Sequence, residues 1–131
     1  YDTVLSYQRG IVYGRRRAMV EGDRGHVISA FYALGDQTEL DAVAKKKMEE
    51  VGEDSFWETV RRIVLYTTDT LWVEHIDTME HMRQSVGLRA YGQREPLVEY
   101  KKEATRLFRE MEERLKDQVV QSVSTITKQK A

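Results

Sequence analysis

Glu74, Asp77 and His81 are the residues whose types and spacing come nearest to a reactive site in this chain. On a helix Asp77 and His81 stand at i and i+4 on one face, with Glu74 one turn earlier. Two carboxylates and an imidazole could then converge on a divalent cation. The specific signatures are missing: there is no His-Glu-x-x-His, and neither His75 nor His81 follows a glutamate by three residues, as a di-iron bundle requires. A surface ion-pair network is the favoured reading, no metal is expected, and a carboxylate-histidine hydrolase is a minor alternative. Phosphate chemistry has no support either, because neither Gly-x-x-x-x-Gly-Lys-Ser/Thr nor Gly-x-Gly-x-x-Gly occurs to present backbone amides to an anion. Cysteine is absent, which removes thiolate catalysis, thiolate metal sites and disulfides. No nucleophile elbow or Ser/His relay is visible, so these residues by themselves are not expected to form an enzyme, and no cofactor is expected in this chain.

The elements that must carry these residues are helices. In 131 residues there are one proline and eight glycines, and a third of the chain is charged, a balance that favours long helices over a sandwich. Residues 1–21 carry Val4, Leu5, Ile11, Val12, Ala18 and Met19, with Tyr7 and Tyr13, on a broad helical stripe interrupted by Gly10 and Gly14. Those glycines suggest close approach of another helix. Residues 22–54 are expected to hold a short helix from His26 to Leu34, a stop at Gly35, and an amphipathic helix capped by Asp36 or Thr38 that runs to Gly52. From Phe56 the pattern Val60, Ile63, Val64, Thr67, Leu71, Trp72, Ile76, Met79, Met82 and Val86 runs without a proline, a rod of roughly 45 Å at 1.5 Å per residue. Leu97, Tyr100, Ala104, Leu107, Met111, Leu115, Val119, Val123 and Ile126 follow at steps of three and four, suited to near-antiparallel packing on that rod. Residues 55–131 therefore read as a two-helix hairpin, and the fold class is all-α: one long helix, a short helical insertion and the hairpin. Trp72 and Tyr100 are expected core anchors.

Charge is nearly balanced, net −1, but unevenly placed: four arginines against two acids in residues 1–22, four basic against eight acidic residues in 23–55. Arg15-Arg16-Arg17 is too short for a nucleic-acid patch and reads as a solvated helix face, so no nucleic-acid partner is expected. No apolar run approaches the roughly 18 to 20 residues that a membrane-spanning helix requires. The chain opens at Tyr1 without an initiator methionine, as expected of a piece of something longer. Between the hairpin arms lies Gly87-Leu88-Arg89-Ala90-Tyr91-Gly92-Gln93-Arg94-Glu95-Pro96. There Gly87 suits the residue after a helix C-terminus and Pro96 the first helical position. Tyr91 has no stripe to join; it either folds back on the hairpin or meets a partner.

Asp69-Thr70-Leu71-Trp72-Val73-Glu74-His75-Ile76-Asp77-Thr78-Met79, then residues 82–93 and Pro96-Leu97-Val98-Glu99-Tyr100-Lys101, closely resemble the C-terminal helical region of SecA, the bacterial preprotein translocase motor. Tyr1-Asp2-Thr3-Val4 with Gln8-Arg9 and Ile11-Val12-Tyr13 is similar to the start of that family's scaffold helix. The resemblance implies a helical scaffold helix (1–21), a wing-like insertion (22–54) shorter than is usual in the family, and a two-helix finger (55–131). It implies that Tyr91, with Leu88, Arg89 and Gln93, forms a fingertip that contacts translocating preprotein at the cytoplasmic mouth of the SecY channel. The implied partners are the SecY channel, preprotein and the SecA motor domains in cis, at a cytoplasmic location peripheral to the inner membrane. ATP and Mg belong to the parent motor. The competing reading is a stand-alone helical module that forms a homodimer through Tyr7, Val12 and Met19.

Overall fold

The computed structural model describes residues 2–89 and 95–127. Of the sequence-predicted tip, Tyr91 and Gln93 lie outside the described residues. The helices are α1 (Asp2–Glu21), α2 (Arg24–Tyr32), α3 (Gln37–Val51), α4 (Glu53–Arg89) and α5 (Pro96–Ser124), with no strand among the described residues. α4 is 37 residues long, roughly 55 Å at 1.5 Å per residue, and α5 is 29, roughly 43 Å.

The hairpin closes because both arms are apolar along one edge. Phe56, Val60, Val64 and Leu71 near the start of α4 are buried with Met111, Leu115, Val119 and Val123 near the end of α5. Towards the tip Met79, Met82 and Val86 are buried with Tyr100 and Ala104. This pairing of early with late residues makes the arms antiparallel. Pro96 sits at the start of α5, where its missing N–H is no loss. Gly87 does not end α4, which continues to Arg89. A glycine inside a helix costs only about 1 kcal/mol relative to alanine, less than the burial of Val86 beside it contributes.

α1 lies antiparallel to α4 and parallel to α5, burying Val12 and Met19. The close-approach reading of Gly10 and Gly14 fails, since a Cβ at either would meet nothing within 4 Å. Close approach occurs at Gly22 instead, where a Cβ would stand 2.4 Å from the Ala18 carbonyl oxygen and 2.6 Å from the His26 Cβ. The corner into α2 therefore admits no side chain. α2 starts earlier than the sequence suggests, at Arg24, because the Asp23 carboxylate accepts from the His26 amide at 3.0 Å as its N-cap. Asp36 caps α3 by accepting from Thr38 N–H at 2.8 Å, leaving Asp41 to accept from the Tyr32 hydroxyl at 2.9 Å. Burial and that bond raise the Tyr32 phenol to about 12. Gly52 turns α3 into α4 at φ 89°, in the left-handed region that glycine enters freely.

Aromatic packing fastens the α2–α3 insertion to the base of the hairpin. Phe31 meets Trp57 edge-on at 5.6 Å between ring centroids, and Trp57 meets Phe56 at 4.8 Å. Lys47, buried on α3, donates to the Ile126 carbonyl at 3.0 Å and so holds the chain just past α5.

Leu115→Ala, at the buried seam, is expected to cost about 2–5 kcal/mol. Leu97→Ala, at 44% exposure on the same sequence stripe, should stay within about 0.5 kcal/mol. Urea unfolding followed by far-UV ellipticity checks this; equal shifts would contradict the assigned packing.

Candidate functional site

Two places on this frame have features that packing alone does not explain: the free end of the hairpin and a buried polar joint beneath it. At the free end Leu88 is 81% exposed, and across from it Leu97 and Val98 face solvent at 44% and 57%. Three apolar side chains are thus held out in water by a hairpin whose seam is otherwise closed. Of the four sequence-predicted tip residues, Leu88 is placed here, Arg89 ends α4, and Tyr91 and Gln93 fall outside the described residues.

The buried joint sits where α1 crosses both arms. Gln8, 3% exposed, donates its Nε2–H to the Ala104 carbonyl oxygen at 3.1 Å, and its Oε1 lies 2.7 Å from His75 Nε2. Because the amide nitrogen of Gln8 is committed to a carbonyl, its oxygen must accept, and His75 must carry its proton on Nε2. The imidazole is sandwiched between Trp72, at 5.5 Å, and Phe108, at 5.6 Å between ring centroids. Burial, and secondarily the positive charge of Arg114, lower its pKa to about 4. His75 is therefore a neutral core residue. Of the metal-ligand candidates nearby on α4, Asp77 and His81 pair at 3.6 Å on the exposed face, and among the described residues no three His, Asp or Glu side chains form a metal-holding group.

Further ionic contacts align α1 with the hairpin. Arg15 pairs with Glu112 of α5 at 2.7 Å and Arg16 with Asp69 of α4 at 3.1 Å. The arginine run is thus not simply a solvated face: two of its three members bridge helices. At the other end Arg61 of α4 donates to the Met19 carbonyl, and to that of Gly22 at 3.1 Å, satisfying acceptors that the C-terminus of α1 leaves open. Sequence reasoning missed Gln8, His75 and Arg61. For the first two a signal existed: Val4, Gln8, Val12 and Leu71, His75, Met79 each place the polar residue at a stripe position, four residues from an apolar neighbour on either side.

The described architecture is a long helix strapped along an antiparallel helical hairpin, with a small helical insertion between them. The family model for the SecA wing and scaffold domain matches residues 35–127, and the chain belongs to that family. Protein translocase subunit SecA of Clostridium acetobutylicum is 34% identical over 136 residues, covering 99% of this chain and 15% of that relative. SecA 1 of Clostridioides difficile is 28% identical over 178 residues, 97% of this chain and 20% of the relative. SecA of Heliobacterium modesticaldum reaches 47% over 66 residues, half of this chain. The chain thus spans only 15% to 20% of the length of the first two relatives. The 178 aligned positions exceed its own 131 residues, so the Clostridioides protein carries residues with no counterpart here. Among the described residues no helix is long and apolar enough to cross a membrane.

The folded pKa of His75 lies below its ordinary 6.5, so the unfolded chain binds the proton more readily. The stability held by neutral His75 is then complete above pH 6.5 and falls towards pH 4. At about 1.4 kcal/mol per pKa unit this amounts to a few kcal/mol. In urea titrations between pH 7 and 4 the non-titrating His75→Gln variant should show a shallower loss than the parent. Identical slopes would contradict a neutral buried His75.

Proposed function

We propose that this chain is the helical scaffold and two-helix finger of a SecA-type protein translocase, and that the α4–α5 hairpin presents its tip to preprotein at the mouth of the SecY channel. The observation that carries this reading is the hairpin itself: a closed apolar seam that ends in outward-facing Leu88, Leu97 and Val98. Stiff helices transmit displacement over tens of ångströms. Apolar and aromatic side chains at the tip grip varied polypeptide without demanding a sequence. Tyr91, with Leu88, Arg89 and Gln93, is the proposed contact set.

Residues 22–54 are read as a reduced wing, in keeping with the longer alignment to the Clostridioides relative. ATP and Mg would be held by motor domains in cis, and the assembly would work in the cytoplasm, peripheral to the inner membrane. In the intact translocase Tyr91→Ala is expected to leave basal ATP turnover nearly unchanged and to reduce preprotein import into SecY-containing vesicles; undiminished import would refute the role of Tyr91.

A second reading, a self-associating helical module, rests on a different surface from the one the sequence suggested. Val12 and Met19 are buried, whereas Tyr13 and Val20 on α1 and Val73 on α4 line one groove and are exposed at 47–68%. Translocase domains in cis are the proposed cover for this face, so the isolated chain should bind SecY vesicles as a monomer. Sedimentation showing a stable dimer indifferent to SecY would favour the second reading.

A further inference from the structure

We infer that Gln8 is a positioning residue: its side-chain amide fixes α1 on both arms of the hairpin at one register, so that the scaffold helix and the finger move as one body. The inference rests on the finger reading for its purpose, though not for its geometry.

The amide bridges all three helices at one level, accepting from His75 of α4 and donating to the backbone of α5 at Ala104. A backbone acceptor is present at every turn of α5, but a buried imidazole N–H is present on α4 only at residue 75. Sliding α1 by one turn, about 5.4 Å, would strand both Gln8 and His75 in the core. Arg15–Glu112 and Arg16–Asp69 add to the register further along α1, but both are solvent-accessible, whereas the Gln8 bonds are buried. Beside the joint Trp72 Nε1 is buried without a hydrogen-bond partner among the described residues. A buried polar pair can specify register, as a single buried asparagine does in a coiled coil, and that is the role inferred for Gln8 and His75. Above the joint α1 packs through Val4 and Leu5 against the cluster of Met79, Met82, Val86, Tyr100 and Ala104. Beyond Met79 α4 continues for ten residues to Arg89, roughly 15 Å, and beyond Tyr100 α5 extends four residues to Pro96.

The test uses the full chain, free and within the translocase. In the parent, 15N shifts should show His75 protonated at Nε2 and bare at Nδ1. Gln8→Met keeps the length and packing of the side chain but removes both bonds. Amides of α1 should then exchange about 10- to 100-fold faster, while those of residues 60–64 and 115–119 hold. Spin labels at Arg17 and Leu88 should report a wider distance distribution than in the parent, and a pair at Thr70 and Arg109 should not. Gln8→Glu retains an acceptor for His75 but loses the donor to Ala104, so it should loosen α1 from α5 more than from α4. An Nδ1-protonated His75, or a Gln8→Met variant with parental α1 exchange and label distances, overturns the inference. So does equal loosening of the α4–α5 pair, and a variant that fails to fold counts the same way, since the hairpin must survive without the joint. If α1 loosens as expected but translocation by the intact motor is unimpaired, the joint stands and the finger reading fails.

Discussion

Among the described residues α4 and α5 form the most extensive helix–helix seam, and α1 and the α2–α3 insertion pack on it. It is formed by side chains at steps of three and four on two arms of opposite direction, and it buries Val60, Val64, Leu71, Met111, Leu115, Val119 and Val123 in one continuous strip. Two long helices joined by a few residues have no other way to remove those stripes from water. With the seam closed, the hairpin offers α1 a groove and offers the α2–α3 insertion a base, and neither has an apolar face large enough to fold alone.

What is added to the hairpin is attached by a different kind of force at each end. The insertion is held by large rings, Phe31 against Trp57 and Phe56, which suits a part that only has to stay. α1 is held by directional bonds: Gln8 to His75 and Ala104, Arg15 to Glu112, Arg16 to Asp69, and Arg61 to the carbonyls at its end. Directional bonds tolerate little displacement, and exposed ion pairs alone contribute about 0–1 kcal/mol each. Their combined effect is to set where α1 lies more than how tightly it is held. If the hairpin works as the proposed finger, a scaffold helix that does not slip relative to it keeps the tip in place.

Much of this was legible in the residues because periodicity survives in long helices. The α5 stripe is buried nearly as spaced, from Tyr100 through Val123, and Leu97 alone falls on the exposed side. Gly87 misled because a glycine stop and a tolerated mid-helix glycine look alike when the flanking residues are helical. Of the α1 residues expected on the open face, Tyr7 is exposed but Val12 and Met19 are buried; all three are apolar enough for either face, and only the neighbouring helices decide. Gln8 and His75 were passed over, though their stripe spacing was legible, because polar types are read as surface unless their place in an apolar stripe is weighed above their chemistry. The arginine run could not be resolved without knowing that Glu112 and Asp69, far away in sequence, come to the same level.

We propose that the free end of this hairpin is the working surface of a translocase. A photoactivatable cross-linker placed at Leu88 of the intact translocase, with a preprotein stalled in SecY vesicles, tests it directly. The control is the same group at Tyr66, similarly exposed on α4 and roughly 33 Å back along the helix. A working tip predicts ATP-dependent cross-links from Leu88 to preprotein or channel and few or none from Tyr66. Equal labelling from both positions, or labelling from Tyr66 alone, would contradict it.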